Sequence, residues 1–162
     1  MEMHEFHSFL AQRLALADAI LIDRICIERQ LASARVLKAY TSRHEGLPKY
    51  SSGEMTFVGT PGSWGNPTLS ANDKAVAFIG YIESAQGYYQ HHWLAHFLVI
   101  VHGGQEYALA TWNTHARNWW PASFHDQCII PDSSRPWRVG IPFSLFEKHL
   151  LQLIDEPAPN IR

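Results

Sequence analysis

Residues 17–28 read ADAILIDRICIE, and the apolar alternation of this run breaks in its middle. Ile20 and Ile22 fall on one face of an extended chain, whereas Ile25 and Ile27 fall on the other. One extra residue at Asp23-Arg24 brings all four isoleucines inward, which is what a β-bulge does. The run therefore predicts a bulged, strongly bent strand. ASARVLKAY (residues 32–40) is short enough to return beside it as a hairpin partner.

The other elements follow from periodicity. Residues 2–17 predict a helix, with Phe6, Leu10, Leu14 and Ala17 on one stripe and Phe9 and Leu16 beside it. A short strand is expected at residues 54–58, between two Gly/Pro/Ser-rich connections. KAVAFIGYIE (residues 74–83) is apolar at nearly every position, as in a strand buried on both faces. HFLVIVHGGQEYALATW (residues 96–112) holds two β-rich runs around Gly103-Gly104, a hairpin signal. A long irregular segment then leads to the strand WRVGI and a last helix at residues 143–154. There Ser144 and Glu147 have capping-box spacing, and Phe146, Leu150, Leu153 and Ile154 form the stripe.

The 162 residues predict a single domain, 1–162: helix 2–17, β-barrel 18–141 and helix 143–154. The class is mostly β (α+β), a twisted, partly closed antiparallel OB-like barrel of about six or seven strands flanked by an N-terminal and a C-terminal helix. A formal charge of −2 provides no general field for nucleic acid or an anionic membrane. Protonating all ten histidines would carry that charge to +8, which makes mild acid a variable to test. The stretch MEMHEFHSFLAQRL has no basic start or continuous apolar core, and no run reaches the length of a membrane span. A cytoplasmic location with reduced Cys26 and Cys128 is the expectation.

Ala17-Asp18 opening a strand, ARVLKAY some residues on, and NDKAVAFIGYIE after a Gly/Pro-rich loop together resemble the netrin or metalloproteinase-inhibitor type of OB-like barrel, over about residues 17–101. Asp23 stands where that pattern has glycine, and Ala39 stands where its second strand ends in glycine. The resemblance implies a fold and a binding role, and it carries no catalytic residue.

Two histidine-bearing stretches compete for a functional role. His92 and His96 have the spacing of a helical zinc pair, but on a strand four residues span about 13 Å, too far for one ion with bonds of about 2.0–2.1 Å. If a metal binds, His92, His96, His102 and His115 are the candidates, with zinc as the ion; the expectation is no cofactor. HARNWWPASFHDQC (residues 115–128) places His115, Arg117, Trp119, Trp120, His125, Asp126 and Cys128 in one segment. A cysteine enzyme would use Cys128 with His125 or His115 as base, yet no family signature surrounds it. Trp and Arg are instead the residue types of interface hot spots. Trp64, Arg117, Trp119, Trp120 and His125 are therefore the expected partner-binding residues, the alternative being tryptophans folded back as lids on the barrel. His4 and His7, one turn apart, would need further ligands from elsewhere to hold zinc.

The reading is a non-catalytic protein-binding module, an inhibitor or immunity-type protein that neutralises a partner such as a bacterial toxin. The alternative is a metal- or His/Cys-dependent enzyme built on the strand at residues 91–102 and the loop at 115–128. The expected partner is another protein, and neither membrane nor nucleic acid is expected.

Overall fold

A computed structural model describes residues 5–28, 31–41, 54–58, 73–82, 87–90, 96–109, 120–136 and 138–155. Helix α1 (Glu5–Leu16) leads into β1 (Asp18–Glu28) and β2 (Leu31–Ala39), followed by β3 (Glu54–Val58) and β4 (Ala75–Ile82). Then come β5 (Gly87–Gln90), β6 (His96–His102), β7 (Gln105–Leu109), a 3-10 helix (Ala122–Gln127), β8 (Gly140–Pro142) and α2 (Phe143–Asp155). The protein is a mostly-β, α+β fold with a twisted, barrel-like sheet between an N-terminal and a C-terminal helix.

Pairing passes through β1-β2-β3-β5-β4 and returns from β4 to β1. β6, β7 and β8 continue from β4 as a wing, so the sheet as a whole is curled but not closed. The described residues hold eight strands against the six or seven expected, because β5 is too short to show a period. All pairs are antiparallel except the two-register contact of β3 with β5.

The broken alternation of β1 has the anticipated cause. Asp23 pairs with Arg35 and Cys26 with Ser33, so β1 carries one residue more than β2 across this interval. Ile20, Ile22 and Ile25 consequently all point inward, at 0%, 0% and 1% exposure. The residue that absorbs the extra length is Arg24, with φ of 54°. Asp23 receives the Arg35 guanidinium in a fork of two 3.0 Å bonds, which pins the bulge from outside.

Strand β4 separates two apolar clusters. Ala75, Ala77 and Ile79 join Ile20, Ile22, Ile25 and Ala34 inside the curl. Val76 and Phe78 face the other way, into a larger core under both helices. The expected stripes of both helices end there: Phe6, Leu10, Leu14 and Ala17 from α1, and Phe146, Leu150 and Leu153 from α2. The capping-box expectation for Ser144 is corrected, because α2 already begins at Phe143. Glu147 turns instead to the Tyr40 hydroxyl, which donates to it, and to the Lys38 ammonium at 3.8 Å.

The Gly103-Gly104 turn has φ of 59° and 80°, the left-handed pair that a two-residue hairpin loop needs. Gly140 is required for a different reason. It pairs with Leu109 of β7 and exchanges two 2.9 Å bonds with Ile129, and a Cβ there would lie 2.7 Å from Leu109 Cδ2.

Two substitutions test this account. Arg24→Gly relieves a left-handed conformation costing about 1–2 kcal/mol and adds about 0.4–1 kcal/mol of unfolded-chain entropy. A net stabilisation of about 0.5 kcal/mol is expected from urea unfolding midpoints, and a clear loss would disprove the bulge geometry. Gly140→Ala should destabilise by about 1–3 kcal/mol through overpacking, read in the same assay.

Candidate functional site

Residues 120–136 have little regular structure, yet the core holds them firmly. Trp120 is fully buried; its indole N–H donates to the Val139 carbonyl at 3.0 Å. Its ring lies 4.9 Å from Phe6 and 6.2 Å from Phe97, between α1 and β6. Phe124 follows it into the same cluster, 6.2 Å from Phe6. The 3-10 turn between them is closed by Phe124 N–H to the Pro121 carbonyl at 2.8 Å. Burying two large aromatics offsets the ordering entropy that an irregular segment would otherwise keep.

The turn carries the remaining candidates outward. His125 Nε2 lies 2.9 Å from the Trp120 carbonyl, and the Cys128 thiol donates to the Phe124 carbonyl at 3.6 Å. A groove of about 440 Å³ opens here, lined by His125, Asp126, Cys128, Ile129, Ile130 and Val139. Ile130 is 51% exposed at its edge, on backbone fixed by the Ile129–Gly140 bridge. Beyond it, the Asp132 carboxylate accepts from the Ser134 amide at 3.0 Å and its hydroxyl at 2.6 Å. These bonds hold the Asp132 carboxyl below its usual range.

Several expected site residues are relocated by this geometry. Trp120, expected on the partner-binding surface, belongs to the core and offers no surface to a partner in this fold; it folds back under the helices. His125 reaches the groove. Trp64, Arg117, Trp119, His92 and His115 lie outside the described residues.

His96 and His102 sit at opposite ends of β6, about 20 Å apart at strand rise, so one ion cannot span them. His102 is exposed beside the hairpin turn, its ring 6.3 Å from Tyr107. His96 is 3% exposed, opposite Ala77 of β4. Among the described residues, no group of three His, Cys, Asp or Glu converges as a metal site.

A second concavity, of about 510 Å³, lies between the β6–β7 turn and the first turn of α2. Lys74 and Glu106, 2.6 Å apart, form one wall, and Ser144 and Glu147 form another. Tyr40 stands beside it; burial first, then its hydrogen bond to Glu147, raises its phenol pKa far above the ordinary value. Sequence reasoning had no signal for this cleft, since its residues come from segments that meet only after the sheet curls.

No known protein family matches this chain, and no significant match was found to a curated protein or a solved structure. No helix among the described residues is long and apolar enough to cross a membrane.

The burial of His96 has a consequence for pH. Desolvation pushes its pKa down to about 4, against about 6.5 in an unfolded chain. Above pH 6.5 both states are neutral and the group costs nothing. As pH falls from 6.5 to 4 the unfolded chain takes up the proton first, so stability declines by up to about 3 kcal/mol. His96→Leu should lose less stability than wild type between pH 7 and pH 4.5, measured by urea unfolding. An equal loss in both proteins would mean that His96 is not the responsible group.

Proposed function

We propose that this chain is a non-catalytic protein-binding domain of the inhibitor or immunity type, acting in the cytoplasm on a partner such as a bacterial toxin. The observation that carries the binding part is Ile130, half exposed beside a groove rimmed by His125 and Asp126. An apolar anchor next to a concavity with polar edges is the arrangement of a hot spot and its rim. The platform beneath it is immobilised by Trp120 and by the Gly140 bridge, which lowers the ordering cost of association. Arg117 and Trp119, close in sequence to this platform, remain part of the proposed surface.

The inhibitor form of the reading rests on composition, on the absence of a catalytic motif in the sequence, and on the netrin-like resemblance. The pairing of five strands into a curl supports that resemblance as a reading of the architecture. An enzyme using His125 and Cys128 has less support, because the side-chain bonds seen for both go to main-chain carbonyls.

The test is a quantitative binding assay on the partner captured by the tagged full chain. Ile130→Asp, on the surface, should weaken binding at least tenfold while leaving circular dichroism and the unfolding midpoint unchanged. Trp119→Ala and Arg117→Ala should each weaken it as well. Undiminished binding by all three variants would remove this surface from consideration.

A further inference from the structure

The concavity of about 510 Å³ between the β6–β7 turn and α2 has a lining of mixed character. Its apolar part is Leu21 of β1 and Phe143 of α2, both buried core residues. The rest is polar, with Lys74, Glu106, Ser144 and Glu147 as its main groups. Its volume lies within the range of small-molecule sites, roughly 300–1,000 Å³.

The polar groups present both signs of charge at close quarters. Lys74 Nζ and Glu106 Oε2 are 2.6 Å apart, so an ammonium and a carboxylate stand side by side on one wall. On the other wall Glu147 Oε2 accepts from the Tyr40 hydroxyl, and Lys38 Nζ lies 3.8 Å from the same oxygen. These two ammonium groups and two carboxylates carry no net charge between them. Their bonding capacity is only partly used. Glu106 Oε1, Glu147 Oε1 and the Ser144 hydroxyl make no hydrogen bond to the described residues, and Lys74 has three protons for one acceptor. The first turn of α2, whose main-chain N–H groups lack partners within the helix, borders the same space.

We propose that this cleft binds a free α-amino acid with an apolar side chain. The ligand carboxylate is met by the Lys74 ammonium, the Ser144 hydroxyl and the start of α2. The ligand ammonium is met by the spare oxygens of Glu106 and Glu147, and the side chain covers Leu21 and Phe143. A zwitterion fits because it carries both charges on one carbon, as the Lys74–Glu106 wall presents both at one place, and it leaves the neutral surroundings neutral. An anion alone would face two carboxylates, and a cation alone would forgo Lys74 and the helix start. The cleft shares no lining residue with the groove beside Ile130, so this function is independent of the partner surface.

The experiment is calorimetric titration of the full chain at pH 7.0 with L-leucine, L-methionine and L-phenylalanine, and with N-acetyl-L-leucine and L-leucinamide. N-acetyl-leucine keeps only the carboxylate and leucinamide only the ammonium. At least one of the three amino acids should bind with a stoichiometry of one, and both blocked derivatives should bind at least about tenfold more weakly than leucine or not at all. Lys74→Met and Glu147→Gln should each weaken amino-acid binding at least about tenfold, with circular dichroism unchanged. The comparison of derivatives needs no variant, so it decides the matter even if a variant fails to fold. No binding by any of the three amino acids would overturn the proposal. So would a blocked derivative that binds as well as leucine, or binding that both folded variants leave intact.

Discussion

Strand β4 is the common wall of two apolar cores, and the positions of the other elements follow from that. Ala75, Ala77 and Ile79 close the inside of the curled sheet, while Val76 and Phe78 form the floor on which both helices lie. One edge of β4 pairs with β1 along residues 75–79, and its other edge pairs first with β6 and then with β5. Its main chain therefore finds partners on both edges while its side chains find apolar neighbours on both faces. The bulge in β1 belongs to the same arrangement. By turning Ile25 to the side of Ile20 and Ile22, it lets one strand bend around the interior without exposing an apolar face.

On the helical side, the aromatic rings do what regular hydrogen bonding does elsewhere. Phe97 of β6 contacts Phe146 at 4.8 Å and Trp120 at 6.2 Å, and Phe6 of α1 reaches Trp120, Phe124 and Phe146. This cluster gives the described residues 120–136 a fixed path although they hold only one short 3-10 turn. The outward residues His125 and Ile130 are thus oriented by buried neighbours two to five positions away or across the Gly140 bridge. Surface chemistry on this face is a by-product of how the core is filled.

Local patterns in the sequence were informative wherever a period of two or of 3.6 lasted long enough. The stripes of α1 and α2, the two-faced burial of β4, the Gly103-Gly104 turn and the extra residue in β1 all show in the spacing of apolar and turn residues. The alternation located the bulge at Asp23-Arg24, but only the structure shows that Arg24 takes the left-handed conformation while Asp23 holds the fork with Arg35. Strand β5 was overlooked because GYYQ is too short to display a period, and its partners β3 and β4 come from elsewhere in the chain. Trp120 is expected on a surface because Trp beside Arg in one irregular segment is the composition of an interface hot spot. The area of an indole decided otherwise once a core was within reach.

The sequence by itself determined the kinds of elements, their order and their buried faces, since each depends on residues within a few positions of one another. Only the tertiary structure decided which faces share a core, that Trp120 points in while Ile130 points out, and that Lys74 and Glu106 meet Ser144 and Glu147 in one cleft. Those outcomes depend on contacts between segments distant in the chain. Such contacts form when the sheet curls and the helices settle on β4, and no spacing along a single segment encodes them.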